Sequence, residues 1–240
     1  MLLFDAGNSR CKWAWIEAGV RQHQGVLDNV DETAWQQLKS TFASLATPRK
    51  ILISNVAGAE MERRLRNLCS VWKCAPEFLV AQTEQCGVRN DYDQHEQLGS
   101  DRWAALIAAW DSVHGACLVV NCGTATTVDA LSATGGFLGG LILPGVELMR
   151  RSLLLNTAQL GLEAGDVRDF PRSTADAIAS GVMRASIGAI RQQFALLEKQ
   201  GMASCILSGG AAVKMLPHLA LEVVLMDDLV LQGMQIIGQE

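Results

Sequence analysis

The pattern of apolar and polar positions repeats in two places along the chain. In residues 2–17 a short apolar strand runs into a turn of small and polar residues, and a strand pattern then resumes. Residues 117–131 follow the same order. Each stretch predicts a β-hairpin whose tip consists of Gly and of hydroxyl or amide side chains. The repetition indicates a weak internal duplication.

Helices and strands are predicted to alternate after each hairpin. Apolar residues recur on one face of residues 31–46 and of residues 100–113, as an amphipathic helix requires. This order predicts an α/β architecture of two similar domains, residues 1–113 and residues 114–240. The predicted elements are a helix at 31–46, a strand at 50–56, a helix around 61–69, a strand at 77–81, a helix at 100–113, a strand at 137–143, helices at 146–155 and 174–199, and strands at 204–207 and 223–226.

Composition narrows the class of protein. Hydrophobic residues fill 49% of the 240 positions and charged residues 19%, which supports a core and excludes a disordered chain. The net charge of −5 and the lack of a Lys/Arg-rich run argue against a nucleic-acid partner. The seven cysteines are scattered, as is usual in a reducing compartment. Because the sequence also lacks an apolar run of membrane-spanning length and a recognisable leader, we expect a cytoplasmic protein without membrane association.

The first candidate for chemistry is the tip of the first hairpin, Asp5-Ala6-Gly7-Asn8-Ser9-Arg10-Cys11-Lys12. Gly7 allows backbone N–H groups to converge on an anion, and Asn8 and Ser9 add side-chain donors. Asp5 ends a buried strand, where its carboxylate could hold a magnesium ion through water. The alternative is an ordinary turn, since Asn and Gly favour turns in any case.

The tip of the second hairpin is also rich in hydrogen-bond donors. It reads Asn121-Cys122-Gly123-Thr124-Ala125-Thr126-Thr127, and three hydroxyls beside a Gly suit a phosphate. The alternative is a Thr-rich strand, because Thr has high strand propensity. Asp129 follows in an apolar strand, where a carboxylate is costly unless it is solvated, paired or near a cation. A third, weaker candidate is the turn Ser208-Gly209-Gly210, whose glycines allow close approach of a ring or ribose before a helix.

A fourth candidate lies at the start of the helix predicted from residue 100. Asp101 is either a first-turn carboxylate that the helix dipole favours or a general base that takes the proton of an acceptor hydroxyl. Arg102 beside it would pair with an anionic group of a substrate. Tyr92 precedes this segment by a short loop.

These motifs together resemble the type III pantothenate kinase family, in order and in spacing, from Asp5 to about Gly233. The matching segments are Asp5-x-Gly7-Asn8-Ser9-x-x-Lys12-Trp13, Tyr92 followed by Leu98-Gly99-x-Asp101-Arg102, Gly123-Thr124-Ala125-x-Thr127-x-Asp129, Gly139-Gly140-x-Ile142-x-Pro144-Gly145 and Ser208-Gly209-Gly210. The resemblance implies two ribonuclease H-like domains of the actin-like ATPase type with a cleft between them. It also implies ATP-dependent phosphorylation of pantothenate to 4'-phosphopantothenate, the first step of coenzyme A biosynthesis.

The resemblance further implies roles for single residues, a homodimer, and the use of magnesium and a monovalent cation, potassium or ammonium. Asp101 would be the catalytic proton acceptor. The family usually has Asp where this chain has Asn121, so the monovalent-cation site loses a charge and its strength is in doubt. The implied ATP-binding residues are Asp5, Ala6, Gly7, Asn8, Ser9, Arg10, Lys12, Gly123, Thr124, Thr127, Gly209 and Gly210, and the implied pantothenate-binding residues are Tyr92, Gly99, Ser100, Asp101, Arg102 and Thr174.

Two other classes of function stay open from the sequence. One is a nucleotide-binding regulatory protein of the same fold, a transcriptional accessory factor, although the acidic composition argues against DNA binding. The other is a phosphohydrolase or a sugar kinase of the same superfamily, which would share the ATP motifs. The residues around Tyr92 and Arg102 would separate these from a pantothenate kinase, because they belong to the acceptor site.

Overall fold

The computed structural model describes residues 1–155 and 164–240. The chain divides into two compact units, one formed by residues 1–111 and 229–240 and the other by residues 112–228. Within the described residues no helix is long and apolar enough to cross a membrane.

The first unit is built on a five-stranded sheet in the order β3-β2-β1-β4-β5. Strand β1 pairs antiparallel with β2 and parallel with β4, so the N-terminal hairpin forms one half of the sheet. The strands are β1 (Leu2–Ala6), β2 (Arg10–Glu17), β3 (Val20–Asp28), β4 (Ile51–Asn55) and β5 (Pro76–Phe78).

Four helices and a small hairpin complete the first unit. Asp31 caps α1, because its side chain accepts a hydrogen bond from the N–H of Ala34 at 3.0 Å. The buried ring of Phe42 from α1 lies 5.2 Å from the rings of both Trp13 and Trp72. The elements are α1 (Glu32–Ala43), α2 (Ala59–Cys69), α3 (Ser100–Val113), α7 (Leu229–Gln239) and the hairpin strands β6 (Glu84–Gln85) and β7 (Val88–Asn90).

The second unit repeats the topology of the first. Five of its strands lie side by side in the order β12-β11-β8-β9-β10, which read backwards is the order of the first sheet. Strands β8 and β9 form the antiparallel hairpin, and β8 pairs parallel with β11. The elements are β8 (Cys117–Cys122), β9 (Ala125–Leu131), β10 (Gly136–Pro144), α4 (Val146–Leu155), α5 (Thr174–Glu198), β11 (Ser204–Ser208), α6 (Ala212–Leu219) and β12 (Val224–Leu225).

The internal duplication predicted from the two hairpins is therefore confirmed at the level of the sheets, and so is the α/β class. The strand predicted at residues 77–81 is shorter, since β5 ends at Phe78. The sequence pattern did not predict β3, the β6–β7 hairpin or α7.

Helix α7 also differs from the predicted domain boundaries, which grouped residues 229–240 with the second domain. In the structure α7 belongs to the first unit, where it packs on β1 and β4. Its Gly233 faces the carbonyl of Ala104 in α3 so closely that any side chain there would collide with the backbone. The last helix therefore packs both on the first sheet and against α3.

Candidate active site

The turn between β1 and β2 is held from one side by Asn29, which follows β3. The N–H of Gly7 donates to the carbonyl of Arg10 at 3.0 Å and closes the turn. The side-chain Nδ2 of Asn29 donates to the carbonyl of Gly7 at 2.8 Å, and its backbone N–H donates to the carbonyl of Ser9 at 3.0 Å. Asn8, Ser9 and Arg10 remain exposed at the tip. The turn therefore has a fixed backbone and an accessible outer surface.

Asp5 lies on β1 at the base of this turn. It is half-buried and sits across from Lys12 in β2 and beside Ser54 in β4. A single carboxylate at this position suits magnesium, which usually takes one or two protein carboxylates and completes its shell with phosphate oxygens and water. Residues 1–155 and 164–240 contain no cluster of three or more His, Cys, Asp or Glu side chains that could hold a metal ion by themselves.

The turn between β8 and β9 is supported by the residue that follows β10. The N–H of Gly123 donates to the carbonyl of Ala125 at 3.0 Å, and the N–H of Gly145 donates to the carbonyl of Thr124 at 2.8 Å. A Cβ atom on Gly145 would lie 2.6 Å from that Thr124 oxygen, so only Gly fits. Close backbone packing thus explains the Gly of the Pro144-Gly145 pair in the sequence motif.

The Gly-Gly turn after β11 packs against the end of β8. Gly209 has a φ of +95°, and a Cβ there would lie 2.6 Å from the carbonyl of Cys122 and 2.7 Å from Oδ1 of Asn121. The N–H of Ala211 donates to the same Cys122 carbonyl at 3.1 Å. The structure therefore brings together three of the predicted segments of the second unit, namely Asn121, the Gly123-Thr124 turn and Gly209-Gly210.

The Thr side chains of the second hairpin differ in burial between the turn and β9. Thr124 is exposed at the turn, whereas Thr127 is 8% exposed and pairs with Asn121 across the hairpin. Asp129 is 1% exposed, opposite Val119 and Gly140. Thr124 is therefore the hydroxyl of this hairpin that is open to a ligand from its own turn, and Thr127 lies within the sheet.

Asp101 occupies the first turn of α3 and is half-buried. Its Oδ1 accepts a hydrogen bond from the N–H of Arg102 at 2.8 Å. Burial raises the pKa of the Asp101 carboxyl above its ordinary value, and the hydrogen bond and charge of Arg102 only partly oppose that shift. A Cβ on Gly99 would lie 2.8 Å from the same oxygen, so Gly99 makes room for the carboxylate.

Arg102 and Tyr92 form a pair beside this carboxylate. Arg102 is only 6% exposed, and its Nη1 donates to the hydroxyl of Tyr92 at 3.1 Å while the guanidinium lies 5.7 Å from the centre of the Tyr92 ring. The N–H of Tyr92 in turn donates to Oδ1 of Asn90 at 3.2 Å. Four of the predicted acceptor-site residues thus lie at one end of α3: Tyr92, Gly99, Asp101 and Arg102.

Ser100 and Thr174 are placed differently. The hydroxyl of Ser100 is buried and shares a 2.8 Å hydrogen bond with the hydroxyl of Ser54, so it joins α3 to β4. Thr174 is the exposed first residue of α5 in the second unit. There the Oγ of Ser173 accepts from the N–H of Asp176 at 3.1 Å and caps the helix. The predicted contact of Thr174 with pantothenate stays a prediction.

Sequence reasoning missed three residues that shape these sites. Asn29 supports the first turn, Ser54 anchors the start of α3, and Gly145 supports the second turn. Gly145 stood in a quoted motif without an assigned role. Asn29 and Ser54 gave no signal, because each acts on a segment that is distant in sequence.

The fold defines the class of protein. A solved structure from Sinorhizobium meliloti, described as a 2-dehydro-3-deoxygalactonokinase, matches with a TM-score of 0.60, at 14% identity over 99% of this chain and 98% of that one. The repeated sheet topology and this likeness place the chain in the actin-like ATPase and sugar-kinase fold class. At that identity the comparison shows the fold alone.

The family follows from sequence comparison. A family model described as type III pantothenate kinase matches residues 1–195. The type III pantothenate kinase of Nitrosospira multiformis is 47% identical over 242 residues, which covers 100% of this chain and 91% of that protein. The chain belongs to the type III pantothenate kinase family.

The regulatory alternative gains no support from these comparisons. A solved structure from Campylobacter jejuni, described as a Baf family transcriptional activator, matches with a TM-score of 0.60 and 22% identity over 100% of this chain and 98% of that one. Such a likeness is again one of fold. The family match therefore favours the kinase over the regulator.

Proposed function

We propose that this chain transfers the γ-phosphoryl group of ATP to the primary hydroxyl of pantothenate and so forms 4'-phosphopantothenate, the first step of coenzyme A biosynthesis. Membership of the type III pantothenate kinase family supports the reaction. The structural observation that carries the proposal is the half-buried carboxylate of Asp101 beside the buried guanidinium of Arg102. A base and a cation at one helix end suit an acceptor that has both a hydroxyl and a carboxylate.

Asp101 is the general base of this proposal. Its Oδ1 accepts from the N–H of Arg102 and occupies the space that Gly99 leaves, so the orientation of the carboxylate is fixed for an acceptor hydroxyl. Because burial raises its pKa, the ionised form is a stronger base than an exposed aspartate. It takes the hydroxyl proton as the oxygen attacks phosphorus.

Arg102 recognises the carboxylate of pantothenate. Its Nη1 donates to the hydroxyl of Tyr92, which orients the guanidinium, and the planar fork of N–H donors on a guanidinium matches the geometry of a carboxylate. Tyr92, Gly99 and Ser100 form the surroundings of this contact. Thr174 supplies a further pantothenate contact near the interface of a homodimer.

The two hairpin turns bind the nucleotide. Backbone N–H groups of a fixed turn stabilise phosphate charge without reorganising, which is the main requirement of phosphoryl transfer. Asp5 would hold magnesium, which would supply neutralisation of phosphate charge. Asn121 would offer one amide oxygen to a potassium or ammonium ion. We place the reaction in the cytoplasm. The nucleotide-binding residues of this proposal are Asp5, Ala6, Gly7, Asn8, Ser9, Arg10, Lys12, Gly123, Thr124, Thr127, Gly209 and Gly210.

A panel of acceptors tests the proposal. Purified protein is incubated with magnesium, potassium and ATP, and ADP formation is followed with pantothenate, pantetheine, hexoses or no acceptor. We expect ADP formation only with acceptors that contain the pantoyl primary hydroxyl, and pantothenate should be preferred over pantetheine because pantetheine lacks the carboxylate. The phosphorylated product is identified by mass.

Each other result of the panel is informative. Rapid ADP formation without an acceptor would indicate a phosphohydrolase. A preference for hexoses would indicate a sugar kinase. Either result would contradict the proposed acceptor.

A further inference from the structure

The turn between β1 and β2 is shaped by Asn29, a residue that the sequence does not predict as a nucleotide ligand. We infer that Asn29 is a positioning residue for nucleotide binding, which orients the N–H groups of Asn8 and Arg10 by holding the carbonyls that precede them. This inference rests on the proposed function of the turn as a phosphate-binding element. It concerns Asn29 alone, which lies behind the turn.

The geometry follows from the planar peptide bond. In a trans peptide unit the carbonyl of one residue and the N–H of the next point in opposite directions. The Nδ2 of Asn29 donates to the carbonyl of Gly7 at 2.8 Å, and its backbone N–H donates to the carbonyl of Ser9 at 3.0 Å. The N–H groups of Asn8 and Arg10 therefore both point away from Asn29. Two donors that leave a turn in this way form a concave site for an anion.

One of the two polar atoms of the Asn29 side chain lacks a hydrogen bond to the residues that the structure describes. Its Oδ1 is buried and has no hydrogen-bond partner within the described parts of the chain. An unpaired buried acceptor lowers the stability of the folded state. If the position were only structural, a side chain with fewer polar atoms would therefore be more stable there. The contact that compensates is the one from Nδ2 to Gly7. The amide is thus explained by the donor that it supplies to the turn.

A second helix fixes the backbone of Asn29. The Nη1 of Arg64, from α2, donates to the carbonyl of Asn29 at 2.7 Å. The guanidinium of Arg64 lies 5.0 Å from the centre of the Trp35 ring and forms an ion pair with Glu32, both from α1. Asn29 is therefore also held from the side away from the turn, by Arg64 of α2, which α1 in turn holds in place.

The test removes the donor and measures nucleotide affinity directly. Asn29→Ala removes the bond to Gly7 and leaves the backbone bond to Ser9 in place. We expect the dissociation constant for a nonhydrolysable ATP analogue, measured by calorimetry with magnesium, to rise about tenfold, as the loss of one oriented hydrogen bond predicts. Asn29→Asp should raise it further, because a carboxylate oxygen would then face the carbonyl of Gly7.

Asn67→Ala is the matched control. Asn67 is an exposed amide on α2 that contacts Lys39 and lies outside the proposed site, so its removal should leave the affinity unchanged. Thermal unfolding identifies a variant that does not fold, and Asn29→Asp keeps the shape of the side chain if Asn29→Ala is lost. In steady-state assays the KM for ATP should rise with little change in the KM for pantothenate.

Two results would overturn the inference. One is an unchanged nucleotide affinity in both Asn29 variants. The other is an equal rise in both KM values, which indicates a general disturbance of the unit. Wild-type protein that binds the nucleotide but does not phosphorylate pantothenate would refute the proposed acceptor and leave the affinity comparison valid.

Discussion

Ser54 and Ser100 share a hydrogen bond of 2.8 Å between their hydroxyl groups, and both side chains are buried. Ser54 lies on β4 beside Asp5, and Ser100 immediately precedes Asp101. One buried contact therefore links the strand next to the proposed magnesium ligand with the helix start that carries the proposed base.

The first prediction concerns this pair. Ser100→Ala should lower the free energy of unfolding by about 1–3 kcal/mol, because it leaves the Ser54 hydroxyl buried without that partner. The double variant with Ser54→Ala should be less destabilised than the sum of the two single variants, by about 1 kcal/mol, since both partners are then absent. Urea unfolding of the four proteins measures the coupling. Strict additivity would mean that the bond contributes nothing.

The second prediction concerns Asp101 in catalysis. Asp101→Asn should lower kcat by about 10²–10⁴, because an amide cannot accept the proton of the acceptor hydroxyl. The dissociation constant for the ATP analogue should stay near that of the wild type. Asp111→Asn, at an exposed position of the same helix, is the control and should keep full turnover. Near-normal turnover of the Asp101 variant would remove this residue from the mechanism.

The third prediction concerns pH. Because burial raises the pKa of Asp101 above 3.8, turnover should fall in acid with a midpoint above that value. This fall in acid should be absent from the pH profile of the residual activity of Asp101→Asn. The sign for stability is opposite to that of a salt-bridged carboxylate. The folded state holds this proton more tightly than the unfolded state, so the charged carboxylate opposes folding at neutral pH.

Asp101→Asn should therefore raise the free energy of unfolding at pH 7, and the difference from the wild type should shrink as the pH falls through the raised pKa. Urea unfolding at several pH values measures it. A destabilised Asp101→Asn at pH 7 would contradict the assigned cause of the shift.

The fourth prediction concerns the Gly-Gly turn. Gly209→Ala should lower the free energy of unfolding by more than about 1 kcal/mol, because its φ is +95° and its Cβ would lie 2.6 Å from the Cys122 carbonyl. Gly210→Ala is the matched control. Open space surrounds a Cβ at Gly210, so its effect on unfolding should be small. Equal effects at the two positions would contradict the close packing of the turn on β8.

The fifth prediction concerns the monovalent cation. With Asn121 in place of a carboxylate, activity should depend weakly on potassium or ammonium against a sodium background. Asn121→Asp restores the charge and should lower the concentration needed for half activation several-fold, since ionised oxygens bind cations more strongly than amide oxygens. Sharp activation of the wild type at low potassium would contradict this expectation.

The sequence predicted those parts of the fold that depend on local pattern. The hairpins at Gly7 and Gly123 were recognisable because an apolar strand, a Gly-containing turn and a second strand are adjacent in the chain. Strand β3 was missed because six of its nine residues are exposed and it lacks a clear apolar alternation. Helix α7 was missed although it is strongly apolar, and its place in the first unit rests on contacts with β1, β4 and α3 that are distant in sequence.

The same distinction holds for the candidate sites. Tyr92, Gly99, Asp101 and Arg102 could be grouped in advance because they lie within one short stretch of chain. The supporting contact of Asn29 with the first turn joins positions more than twenty residues apart. No periodicity or composition of the sequence indicates such a contact, because it depends on how β2 and β3 pair.

Helix α7 has a consequence for synthesis on the ribosome. The strands β1, β2 and β4, on which the first sheet depends, emerge early, whereas α7 emerges only after the whole of the second unit has been made. The apolar surface of β1 and β4 that α7 covers therefore stays exposed while the whole second unit is translated. Exposed apolar surface on a nascent chain is a binding site for chaperones. Domains usually fold in order from the N-terminus, but the first unit of this chain cannot complete its fold before α7 is made.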